Sequence, residues 1–130
     1  MIQATARIIQ DAVVEFDPSE GFVGHVGGDD FVAVVDPDIA EQAAQRICAR
    51  FDETRSDFYE AEDLERGFIR MEDRKGEMQD VPLVAISVGI ASTARRDFAH
   101  YGEAVAVATE MKQFAKRDQG SSYAIDRRTL

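Results

Sequence analysis

Apolar residues recur at helical spacing from the start of the chain: Ile2, Ala6, Ile9, Val13 and Phe16, with Ile8 and Ala12 beside them. The spacing predicts a helix over Ile2–Phe16. The breaker cluster Asp17-Pro18-Ser19-Glu20-Gly21 ends it. Two short apolar runs follow, residues 22–26 and 31–35, around Gly27-Gly28-Asp29-Asp30. Aromatic and β-branched residues on both sides of a Gly-Gly turn predict a β-hairpin. The second run is nearly continuous in apolar residues, which predicts burial on both faces.

Asp36-Pro37-Asp38 has the makings of a helix start. Asp36 suits the N-cap, Pro37 the first turn, and Asp38 the positive end of the dipole. Ile39, Ala40, Ala43, Ala44, Ile47, Cys48 and Phe51 then form a stripe for the core. Residues 52–66 are acidic and show no clear period, although 63–66 fit one helical turn before Gly67. Residues 67–73 and 77–81 predict a second hairpin, turning through Asp73-Arg74-Lys75-Gly76. Residues 83–91 are apolar apart from Ser87 and Gly89 and predict a central strand. A last helix is expected over residues 102–117, with Ala104, Val107, Ala108, Met111, Phe114 and Ala115 facing the core. Lys112, Lys116 and Arg117 lie near its end, where the dipole favours cations. Gly120 stops it, and residues 121–125 can add an edge strand. There is no internal repeat, low-complexity tract or flexible linker. The order predicts an α+β sandwich, an antiparallel or mixed sheet flanked by helices.

Size agrees with one domain over residues 1–130. A chain of 14.4 kDa exposes roughly 6,800 Å² when compact and roughly 20,900 Å² unfolded, so about two-thirds can be buried. Charge narrows the partners. The 25 acids outnumber the 15 bases, for a net charge of −10. Residues 1–51 carry nine acids and three bases, and residues 52–80 carry eleven and five. Residues 81–94 carry none, and residues 95–130 carry five acids and seven bases. Such a surface repels phosphate polymers and anionic bilayers, so neither nucleic acid nor membrane is expected as a partner. A small phosphate-bearing molecule needs a divalent cation between it and the carboxylates. The 14-residue uncharged run, 81–94, is too short to span a bilayer. No charged-then-apolar leader opens the chain, and one cysteine makes no internal disulfide. A cytoplasmic location is expected.

Asp29 and Asp30 at the tip of the first hairpin are the leading candidates for chemistry. Adjacent acids point to opposite faces of an extended strand, but at a turn they can splay around one cation. Mg²⁺ takes one or two carboxylates and completes its octahedron with water and phosphate. The glycines before them allow close approach of a bulky nucleotide. Gly-Gly-Asp-Asp is equally a sequence that turns select for conformation alone.

The context of that turn adds weight to the first reading. His25-Val26-Gly27-Gly28-Asp29-Asp30-Phe31, between two apolar strands, resembles the signature of the GGDEF family of diguanylate cyclases. Ala85-Ile86-Ser87-Val88-Gly89-Ile90-Ala91 is similar to that family's later Ser-x-Gly strand. The segment from Ala108 to Lys116, with Ala115-Lys116 and then Gly120, is similar to its final helix and Ala-Lys-x-x-Gly ending. The three landmarks stand in the family's order and extend the resemblance over residues 2–126. It implies a palm-like, ferredoxin-like architecture and a domain that joins two GTP molecules into cyclic di-GMP. In a homodimer of such domains, each copy presents one GTP and two Mg²⁺ ions assist. By position, Gly27 and Gly28 would line the nucleotide, which is GTP or cyclic di-GMP. Asp29 would be a metal ligand, and Asp30 a second metal ligand or the catalytic group at the attacking hydroxyl. Lys116 would meet the terminal phosphates.

The departures from the family pattern point to a degenerate, inactive member. Asp30 stands where the family has Glu, which leaves the carboxylate about 1.5 Å short, a scale of misplacement that lowers rates by orders of magnitude. Ser121 after Gly120 replaces the family's Arg, and the loop is one residue longer. Pro18-Ser19-Glu20-Gly21 replaces the Arg-x-x-Asp of the inhibitory product site. The family's first strand, with its metal-binding Asp, and the guanine-reading Asn and Asp after it have no counterpart. Met1 is then the start of a shortened protein, or the chain is the back part of an active cyclase. That strand is central in the family sheet, so strands 31–35 and 83–91 are expected to pair directly or to borrow one from another copy. The acidic segment 52–81 with its hairpin reads as an insertion, either a contact surface or a solvated elaboration. A non-catalytic dimerisation or interaction module is the competing function. Cys48 reads as a packed thiol, and His25 and His100 lack metal-ligand spacing. No Ser-His-Asp set can be drawn. Arg95-Arg96 and Arg127-Arg128 read as solvated ends.

Overall fold

Helical periodicity places α1 at Ile2–Phe16, with Ile9, Ala12 and Val13 buried. The computed structural model describes residues 2–54, 57–94, 97–117 and 120–126. The two arginine pairs lie outside these residues. After the breaker cluster, β1 (Phe22–Gly27) and β2 (Asp30–Val34) pair antiparallel.

The next helix, α2 (Ala40–Thr54), buries the expected stripe of Ala43, Ala44, Ile47, Cys48 and Phe51. It starts later than Asp36. The Asp36 carboxylate accepts from the Asp38 N–H at 2.9 Å, and its carbonyl from the Ile39 N–H at 3.1 Å. Asp36 therefore closes a turn ahead of the helix instead of capping it.

A short helix, α3 (Ala61–Arg66), ends on Gly67 at φ 85°. It leads into the hairpin of β3 (Phe68–Glu72) and β4 (Met78–Pro82). The turn forms as expected. The Asp73 carboxylate accepts from the N–H groups of Lys75 and Glu77, and Gly76 takes φ 81°. These donors, Glu77 first, hold the Asp73 carboxyl below its ordinary value.

Residues 83–91 give a shorter strand than expected, β5 (Ser87–Ile90). Ahead of it, side chains take the place of a ladder. The Val84 N–H donates to the Tyr59 hydroxyl and the Ile86 N–H to Ser121 Oγ. Then α4 (Tyr101–Ala115) leads to β6 (Ser122–Ile125), which pairs parallel with β5. His100 caps α4 through Nδ1, which accepts the Glu103 N–H at 3.3 Å. Phe114, expected in the core, is 57% exposed beneath the Arg117 guanidinium.

The mixed α+β class is observed, but among the described residues the strands form three separate two-stranded sheets in place of one. The core is Ile9, Ala12, Val13 and Ile47, where α1 meets α2. Ile8, Val23, Phe31, Val35, Ile86 and Val88 pack against it. The first hairpin lies on α1, and β5–β6 lies on α2. α4 packs on β5–β6 without touching α2, so that sheet is covered on both faces.

The direct pairing expected between strands 31–35 and 83–91 is absent. No Cα of β2 comes within 8 Å of one in β5. Helices packed side by side keep their axes about 8–10 Å apart. Strands seated one on each helix are then about two strand spacings apart, not one. β2 also fails to bury both faces, since Val34 is 45% exposed and, among the described residues, no element covers the hairpin's outer side.

Candidate functional site

The tip of the first hairpin is built by its glycines. Gly27 and Gly28 both take positive φ, 147° and 55°. With Gly28 positive and Asp29 not, the tip has the φ pattern of a II′ turn, which places glycine first. The register shifts between His25 and Gly27, so the strand bulges just before the turn. A side chain at either glycine would meet nothing within 4 Å. Their role is conformational, and the space above them is open.

His25, expected to be structural or exposed, pins this turn. Its ring stacks on Phe31 across the strands, with centroids 4.6 Å apart and planes 13° apart. Nε2 lies 2.7 Å from the Gly28 carbonyl oxygen and donates to it. No motif signals this role in the sequence. Only the register, which sets His25 opposite Phe31, reveals it.

The two acids differ. Asp29 makes no hydrogen bond or ion pair among the described residues. Asp30 is bound: its Oδ1 is 3.1 Å from Nζ of Lys112 on α4. Lys116 lies one helical turn further on, just past the end of α4, and is exposed. Spacing alone could not choose between the two lysines, because residues four apart share a helix face. What brings Lys112 to the hairpin is the seating of α4 on β5. Gly89 lies directly under the helix, and a Cβ there would collide with the Ala108 carbonyl oxygen and the Lys112 amide nitrogen. Glycine thus lets the helix backbone settle onto the strand.

The tip therefore gathers Gly27, Gly28, Asp29, Asp30 and Lys112 on an exposed turn. The ion pair is more than half exposed on the aspartate side, so it adds little stability. The donor set suits one cation that brings its own phosphate and water. It does not fit two resident metal ions, because two carboxylates are present and one already holds an amine. Among the described residues, no group of three or more His, Cys, Asp or Glu side chains is placed to hold a metal. An open groove of about 340 Å³ lies elsewhere, lined by Phe16, Gln42, Gln45, Arg46 and Ala49.

Cys48 offers no nucleophile. Burial first, and the Asp52 charge second, push its thiol up to about 11, so it stays protonated at neutral pH. Among the described residues, no helix is long and apolar enough to cross a membrane. No family model, curated protein or solved structure matches the chain.

Proposed function

We propose that the chain is a degenerate GGDEF-like signalling domain of the cyclic di-GMP system, one that meets a guanine nucleotide at the first hairpin without turning it over. The observation that carries this reading is the tip itself. Two positive-φ glycines leave open space beside a free carboxylate, and a lysine from the helix behind the Ser-x-Gly strand reaches the next residue.

In this reading the phosphates lie over Gly27 and Gly28. Asp29 meets the Mg²⁺ that accompanies them, and Lys116 and Lys112 meet the terminal phosphates. When bound, Mg²⁺ supplies charge neutralisation between phosphate and carboxylate. Turnover is not expected. Asp30 is one methylene shorter than the family's Glu, and its oxygen is paired with Lys112. The gap between β2 and β5 is where the family's sheet carries its first strand. A strand supplied by another copy would pair with both free edges.

Calorimetric titration with GTP and Mg²⁺, together with an assay for cyclic di-GMP, tests the proposal. Binding without product is expected, with binding lost in Asp29→Asn. Formation of cyclic di-GMP would overturn the inactive reading, and absence of binding would overturn the nucleotide reading. A second reading, a non-catalytic dimerisation or interaction module, is favoured by the bare outer face of the first hairpin, where Phe22 and Val26 are 60% and 66% exposed. Dimers in light scattering without nucleotide binding would select it.

A further inference from the structure

The His25 imidazole is held on two sides. Phe31 lies nearly parallel against one face, with ring centroids 4.6 Å apart and planes 13° apart. At the ring edge, Nε2 donates to the Gly28 carbonyl oxygen at 2.7 Å. A ring fixed by both a stack and a hydrogen bond has little rotamer freedom left to lose when a ligand meets it. Yet His25 is exposed, and among the described residues its other face meets no second ring. Phe31, by contrast, is half-buried against the core. The pair therefore presents one flat, pre-oriented aromatic face to solvent.

The register gives the direction of that face. His25 stands opposite Phe31 of β2, so the face turned away from Phe31 looks outward past β1. Among the described residues β1 pairs with β2 alone, and no strand lies beyond it. Across the tip the chemistry then runs in one order. An aromatic face stands on the β1 side, open space lies over Gly27 and Gly28, and Asp29 and the Lys112–Asp30 pair follow on the β2 side. A nucleotide carries its groups in that order, a flat base at one end and charged phosphates at the other. The hairpin's other exposed ring, Phe22, pairs with Val34 at the end away from the tip.

We propose, resting on the nucleotide reading, that His25 is the platform on which the base of the bound nucleotide stacks, so that the imidazole lies between the base and Phe31. Histidine is among the side chains on which unpaired bases stack. One such stack strengthens binding by roughly ten-fold. His25 thus supplies what the glycines, the carboxylates and the lysines do not, a contact that tells a nucleotide from its bare phosphates.

Methyl triphosphate carries the phosphates of GTP without its base. Calorimetric titration of the full chain with each, in the presence of Mg²⁺, tests the proposal. GTP should bind roughly ten-fold tighter than methyl triphosphate. His25→Ala should remove that advantage and leave methyl triphosphate binding unchanged. His25→Phe, which keeps a flat face without the Nε2 donor, should retain it, and so should Phe22→Ala. In nuclear magnetic resonance of the wild type, the His25 ring protons should move upfield with GTP and not with methyl triphosphate. Those of His100, the other of the two histidines, should stay in place. Equal binding of the two ligands, equal losses of both in His25→Ala, loss of the preference in His25→Phe or Phe22→Ala, or unmoved His25 protons overturns the platform and leaves the phosphate site standing. Binding of neither ligand overturns the nucleotide reading itself, and the platform with it.

Discussion

Gly89 holds a different kind of position from the glycines at the hairpin tip. Gly27 and Gly28 are needed for their φ angles, whereas Gly89 is needed for its missing side chain. In Gly89→Ala the methyl must push α4 off β5, an overpacking that costs ~1–3 kcal/mol. Urea unfolding should show a midpoint lowered to match. An unchanged midpoint would mean that α4 is not seated as described. The same substitution loosens the Lys112–Asp30 pair, because Lys112 is one of the residues the methyl displaces. Much of the site was legible at this scale. Gly27 and Gly28 declared a turn because few other residues adopt positive φ. The partner of Asp30 was not legible, since residues 82 positions apart meet only through the packing of α4. Nor was the work of His25, a lone histidine without a ligand-like spacing.

Elements formed where local rules decide, and their assembly departed where contacts between distant segments decide. The periods of α1 and α2 and the Asp73–Gly76 turn were written in adjacent residues, and each appears. The pairing of β2 with β5 was inferred from a sheet that needs a central strand, and the helices beneath hold the two apart. The length of β5 was overestimated because apolar composition does not reveal that Tyr59 and Ser121 side chains take the amides of Val84 and Ile86. The gap has a measurable signature. The carbonyls of Ile86 and Ile90 accept from the N–H groups of Ser122 in β6 and of Asp126 just after it, so by alternation the amides of Ser87 and Gly89 point the other way, to the free edge. In dilute solution these two should exchange hydrogen faster than those of Val88 and Ile90. Equal protection, read by nuclear magnetic resonance, would show that the edge is already paired.

For the whole molecule, the order of elements was right about the mixed α+β class, and the size estimate was too generous about burial. No described side chain is less than 2% exposed, and the surface of 8779 Å² leaves roughly 58% of the unfolded chain's area buried rather than two-thirds. A small core makes the net charge of −10 weigh more. The exposed ion pairs Arg46–Glu15, Arg70–Asp80 and Lys112–Asp30 contribute little against that self-repulsion. Raising sodium chloride from about 0.01 M to about 1 M shortens the screening length from ~30 Å to ~3 Å. The urea midpoint should rise with it. A falling midpoint would mean that attractive pairs outweigh the repulsion.

The parallel pairing of β5 with β6 also sets an order of assembly. The first hairpin closes over two residues, which takes microseconds, whereas 31 residues separate Ile90 from Ser122. Parallel strands admit no tight turn, so β6 can dock only after the crossover through α4 exists. Synthesis runs from the amino end. On the ribosome, α1, the first hairpin and α2 are therefore complete while β5 waits, with both edges bare, for the last strand to emerge.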